Sequence, residues 1–159
     1  MKTGKIATET PANDNDEHDE LHNQEEISLA RLYVLGEKHQ DTAFKNRVID
    51  AILAKTCPKG DDYAGWYPSG LAVDIIYKGT CARSPARRLM IDLHIFVGDE
   101  AWVYDWPEEA HNKEFLMELC ARMMEHKYHQ GSQVEKWDLA VEDNCLYHEH
   151  EGQEACSYL

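Results

Sequence analysis

Polar and apolar positions settle into a helical rhythm only from Ile27 onward. In ISLARLYVLGEKH, Leu29, Leu32, Tyr33 and Gly36 recur on one helix face, while Arg31, Glu37 and Lys38 fall mostly on the others, so a first helix is expected over Ile27–His39. Gly36 within it costs about 1 kcal/mol against Ala, and a close helix crossing is the natural reason to keep a residue without a side chain there. Asp41 is a good N-cap for a second helix, in which Phe44, Val48, Ile49, Ile52 and Leu53 form one stripe. Cys57-Pro58-Lys59-Gly60 stops it. Across so short a corner, two amphipathic helices must pack as a hairpin.

More helix is expected downstream. Gly70–Tyr77 reads as a short helix burying Leu71, Ile75 and Ile76. Ser84-Pro85 opens the next one, with Ser at the N-cap and Pro at the first helical position. Ala86, Leu89, Met90, Leu93, Phe96 and Val97 then recur as a core-facing stripe, with Arg87, Arg88 and Asp92 off it and Arg88–Asp92 an i, i+4 pair. Asn112 caps a last helix to about Gln130, its inner face formed by Phe115, Leu116, Leu119, Cys120 and Met123; Met123-Met124 reads as gap-filling core, and Gly131 as the stop. The fold class is therefore all-α, a small domain of five or six helices over 27–131. Residues 1–26 hold Pro11, repeated Asn, Asp and Glu and almost no large apolar side chain, so they read as a disordered acidic segment; 132–159 reads as an irregular acidic tail.

Charge sharpens this division. The formal net charge is −14, yet Met1–Glu26 carries eight acids against Lys2 and Lys5, and Ser132–Leu159 seven acids against Lys136. The middle of the chain is left at −2, a nearly neutral domain between two acidic ends. Nucleic acid and anionic membrane both require a basic face, so neither is expected as a partner. Five cysteines without a regular framework fit a reducing compartment. With no apolar signal core and no membrane-length apolar run, an intracellular protein, cytoplasmic or nuclear, is expected.

Candidate chemistry is sparse. The paired carboxylates Asp99-Glu100 and Glu108-Glu109 have no nucleophile beside them, and no phosphate-binding loop, dinucleotide fingerprint or nucleophile elbow is present, so no enzyme is expected. Ser84-Pro85 offers a phosphorylation site flanked by Arg83, Arg87 and Arg88, although capping alone explains the serine. His18 and His22 are spaced as two helix ligands in a stretch polar enough simply to be solvated. Tyr33, Trp66, Tyr67 and Trp102 are candidate partner contacts, the loop aromatics serving either as a peptide shelf or as satellite core under their own loops. The tail brings Cys145, His148, His150 and Cys156 within twelve residues, a candidate structural zinc site; otherwise the tail contributes Cys145, Leu146 and Tyr147 as packing on the domain.

Three stretches carry a resemblance. LYVLGEKHQDTAFKNRVIDAI resembles the LYVLAEKY…lkn.aidal stretch of BTB/POZ-domain proteins, especially their large fungal group. GTCARSPARRLMIDLHIF resembles the gSP.RRLlvDl segment that follows BTB in those proteins, and CLYHEHEGQEAC resembles their C.YH.H ending. The resemblance implies the last helix pair of the BTB fold with its helical extension, and scaffolding or substrate-adaptor work, including work with cullin-based ubiquitin ligases. The strands and early helices that carry the family's dimerisation surface and most of its cullin-binding surface have no counterpart in Met1–Glu26, which sets both contacts against the sequence. A non-enzymatic protein–protein interaction module is the leading expectation. The alternatives are a small protein whose tail closes on zinc, and a gene-model fragment in which Leu29, Leu32 and Tyr33 face a missing partner.

Overall fold

A computed structural model describes residues 15–56, 68–98, 104, 112–128 and 144–150. Among them are five α-helices and no strand, as the all-α expectation requires: α1 (Asn15–His39), α2 (Thr42–Thr56), α3 (Gly70–Gly79), α4 (Pro85–Phe96) and α5 (Lys113–Tyr128), followed by a 3-10 turn (Asn144–Tyr147). Helix α1 packs along both α2 and α3, α4 bridges α3 and α5, and the 3-10 turn returns to α4 and α2.

The α1–α2 corner follows from its residues. Gln40 adopts φ 54°, and the N–H groups of Gln40 and Asp41 donate to the carbonyls of Glu37 (3.2 Å) and Gly36 (3.0 Å), the paired bonds that close a helix C-terminus. Asp41 then caps α2, its Oδ1 accepting from the Phe44 N–H at 2.9 Å. A Cβ on Gly36 would stand 2.8 Å from Lys45 Cγ and 3.0 Å from Phe44 Cδ1, so the glycine marks a close crossing as expected. Gly79 at the end of α3 marks another, because a Cβ there would overlap both methyls of Val34.

Helix α1 starts at Asn15, twelve residues before Ile27 and six before Leu21, the earliest turn the sequence offers. Two acids near that junction are tied into the fold. Glu25 pairs with Lys55 of α2 at 2.8 Å, and Glu26 Oε2 accepts the Ser69 N–H at 3.0 Å, just ahead of α3. Ser69 in turn caps α3 through its hydroxyl to the Ala72 N–H. Burial beside an apolar pocket lined by Leu29, Ala30, Ile52, Ala72 and Ile76 pushes the Glu26 carboxyl up to about 7, against the pull of the Ser69 bond and of Lys55.

The core contains Leu29, Tyr33, Val48, Ile49, Val73, Ile76, Leu89, Leu93, Phe115 and Tyr147. Its composition corrects three expectations. In α3 the inward residues are Ala72, Val73, Ile76 and Tyr77, while Leu71 is exposed and Ile75 only partly buried. In α4, Arg87 and Asp92 are buried rather than outside the stripe. Arg87 closes the C-terminus of α3: Nη2 donates to the carbonyls of Tyr77 and Thr80, both at 2.6 Å, and Nε donates to Thr80 Oγ1 at 3.1 Å. Its guanidinium lies 4.4 Å from the Tyr77 ring centroid and pairs with Glu114 of α5 at 2.8 Å. One arginine therefore joins three helices, a role that only the helix-terminal carbonyls of a neighbouring element can reveal.

The third correction concerns α5. Asn112 caps it as expected, accepting the Phe115 N–H at 3.1 Å, and its amide also donates to Asp74 of α3 at 3.0 Å. Phe115 and Leu119 are buried against Tyr77 and His94, the Phe115 ring meeting theirs edge-on at 5.4 and 4.9 Å. Cys120, Met123 and Met124 are instead exposed. Met124 lies on the side of the helix opposite Phe115, whereas Met123, four residues beyond Leu119, continues the inner stripe one turn past the last buried residue and is left exposed there.

Candidate functional site

Among the described residues two surfaces stand out, and the first is the seat of the C-terminal turn. Tyr147 enters the domain, 1% exposed, and its phenol donates to buried Asp92 of α4 at 3.0 Å; Arg88 lies 6.0 Å from its ring centroid and 3.7 Å from Asp92. His148 Nε2 meets Asp50 of α2 at 3.0 Å. Glu149 is held three ways. Its N–H donates to Asn46 Oδ1 at 3.0 Å, its carbonyl accepts from Asn46 Nδ2 at 3.0 Å, and its carboxylate accepts from Lys45 at 2.5 Å.

Lys45 lies almost wholly out of water between Glu149 and Glu37, the latter at 2.7 Å. Burial alone would pull its ammonium down, but the bonds to Glu149 and Glu37 outweigh burial and raise it above the ordinary lysine value. The arrangement holds a 3-10 turn and the two residues after it through one aromatic anchor, one imidazole and a backbone amide–carbonyl pair. It holds the chain's own turn against α2 and α4, and leaves the Cys145 thiol and the His150 imidazole beside each other at its exposed edge.

The seat also places three of the four tail candidates. Cys145 Sγ and His150 Nε2 come within 3.1 Å, but His148 turns to Asp50. Among the described residues no three His, Cys, Asp or Glu side chains gather as metal ligands, and Cys156 lies outside those residues. The packing alternative is what Tyr147 does, with Cys145 half-buried and Leu146 exposed.

Of the partner-contact candidates, Tyr33 is 1% exposed and cannot meet a partner; burial raises its phenol above the ordinary value even though Ser84 donates to it at 3.3 Å. Ser84 is itself buried and makes no side-chain capping bond, so its hydroxyl is closed to a kinase in this fold. Leu29 and Tyr33 lie in the core beside residues of α2 and α3, with Leu32 packed at its edge, rather than facing outward to a missing partner. Trp66, Tyr67 and Trp102 lie outside the described residues.

The second surface is the outer face of α5. Leu116, Met117, Cys120, Ala121 and Met124 line one shallow apolar groove with Lys113, and Met117 (64%), Met123 (54%) and Met124 (65%) are well exposed. Spacings of 3, 4, 7 and 8 place them on a continuous strip of the helix, largely away from Phe115 and Leu119. The helix therefore presents apolar side chains on two faces, and the rest of the described fold covers one.

No known protein family, curated protein or solved structure matches this chain. No helix among the described residues is long and apolar enough to cross a membrane.

Proposed function

We propose that this chain is a non-enzymatic protein–protein interaction module, of the kind that follows the BTB fold in fungal BTB/POZ scaffolds and substrate adaptors. The methionine-rich outer face of α5 carries the reading. Flexible, polarizable methionines are over-used on surfaces that adapt to protein partners, and contiguous exposed apolar side chains on a folded domain mark contact sites. The titratable groups drawn into the fold support the non-enzymatic part, being engaged in holding elements together: Glu26 with Ser69, Lys45 with Glu37 and Glu149, Asp92 with Tyr147. The BTB/POZ component rests on the three sequence stretches, and cullin binding would follow only from that component.

The test is recovery of partners with the tagged full-length chain from its own cells, wild type against a Met117→Glu, Met124→Glu variant. The module reading expects specific partners with the wild type that the variant loses at an unchanged unfolding temperature. Equal recovery by both would remove α5 as the contact.

Structural zinc is the second reading, favoured by the 3.1 Å approach of Cys145 and His150. Two ligands would need two more, from Cys156 or elsewhere. Stoichiometric zinc in the purified chain, lost in a Cys145→Ser, His150→Ala variant, would support it.

A further inference from the structure

The seat of the C-terminal turn has the features of a recognition site rather than of ordinary chain packing. Its bonds are concentrated in three consecutive residues, Tyr147, His148 and Glu149. Asn46 satisfies both the N–H and the carbonyl of Glu149, as a neighbouring strand would, so part of the recognition is independent of side chain. Tyr147 fills a fully desolvated position and has a polar partner at its tip, the usual character of an interface anchor. The receiving groups all belong to α2 and α4, elements packed into the core through Val48, Ile49, Leu89 and Leu93.

We infer that this surface of α2 and α4 is a peptide acceptor, which takes in trans a segment with Tyr-x-Glu spacing, its tyrosine closing a tight turn and its backbone free at the glutamate. The chain's own 145–150 segment is then a tethered occupant. Charge fits the ligand: Lys45 meets the acid and Arg88 borders the ring. Residues 129–143 connect that occupant to α5, and so short a covalent link corresponds to an effective concentration on the order of mM, so an outside peptide succeeds only where the internal segment is weakened or displaced. The inference does not depend on the α5 face, and the two can fail separately.

The experiment titrates the full-length chain into a fluorescein-labelled peptide of residues 144–150 carrying Cys145→Ser, read by fluorescence anisotropy. The chain carries either Tyr147→Ala, which removes the internal anchor, or His148→Ala with Glu149→Ala, which leaves the anchor and loosens the rest. The expected result is saturable binding at least about ten-fold tighter to these variants than to wild type, weakened about ten-fold again by Asn46→Ala in the chain or Tyr147→Ala in the peptide. Absence of saturable binding to both helical variants up to about 1 mM, or equal binding of the peptide lacking its tyrosine, would overturn the inference. Should a variant lose its helical circular dichroism, restoration of that signal by the peptide counts for the acceptor, and failure to restore it counts against.

Discussion

Replacing Glu26 with glutamine tests whether the first helix is anchored by a carboxylate that the fold partly desolvates. Glu26 accepts the Ser69 N–H at 3.0 Å beside an apolar pocket, and its carboxyl is raised from an ordinary 4.5 to about 7. Between these two values the folded chain holds a proton that the unfolded chain has released, so stability must fall as pH rises. The favourable contribution is fully present below about 4.5 and is lost as pH passes through about 7. The two values correspond to about 3 kcal/mol, and the residual solvent contact of a partly buried carboxylate screens this to about 1–3 kcal/mol. The substituted amide would keep an oxygen for Ser69 without the charge. Its loss of attraction to Lys55 is small, because Lys55 already pairs with Glu25 at 2.8 Å. Urea unfolding of both proteins at about pH 5 and about pH 8 is the assay. The Glu26→Gln variant should nearly match wild type at the lower pH and exceed it by about 1–3 kcal/mol at the higher one, the difference between the proteins cancelling every other titrating group. A difference that does not change with pH, or a variant less stable than wild type in the alkaline sample, would refute the desolvation argument.

Other substitutions probe other joints. Tyr147→Phe removes the bond to buried Asp92 and keeps the ring, so denaturant unfolding should show a loss of about 1–3 kcal/mol. Gln40→Gly relieves a side chain at φ 54° in the closing turn of α1 and should raise the unfolding free energy by about 0.5–1 kcal/mol, gauged by the same method. Gly79→Ala should lower the melting temperature through a cost of about 1–3 kcal/mol, because the new methyl meets Val34, whose branched side chain has few rotamers to retreat into, and a helix-end position gains little from alanine. Met117→Glu with Met124→Glu should leave thermal unfolding within about 0.5 kcal/mol of wild type, as both are exposed.

What the sequence made legible was local and periodic. The α1–α2 hairpin, the caps Asp41 and Asn112, the close crossing at Gly36 and the apolar stripe of α4 all follow from spacing and from short-range hydrogen bonding. The failures share a cause, which is that the deciding partner lies on another element. Asn15–Glu26 looks too polar to order, yet Glu25 and Glu26 find Lys55 and Ser69 across the fold. Arg87 looks like a surface charge until the open carbonyls at the end of α3 are placed beside it. Helix α5 has two apolar faces, and periodicity cannot say which one the domain covers. The tail's thiols and imidazoles suggested a metal, and what gave Tyr147 away was only its apolar ring; Asn46 and Asp92 carried no visible sign of their role.

The pairing of Asn46 with Glu149 also fixes an order of events during biosynthesis. The two residues are 103 positions apart, so at about 5–20 residues per second the receiving helix emerges roughly 5–20 s before the segment that fills its seat. Helix α1 and α2 can close on each other early, since their contacts are local. Throughout that interval Lys45 has Glu37 beside it without Glu149, and the amide of Asn46 faces water. A newly made chain therefore passes through a stage in which the hairpin is formed and the seat on α2 is open, and translation speed sets how long that stage lasts.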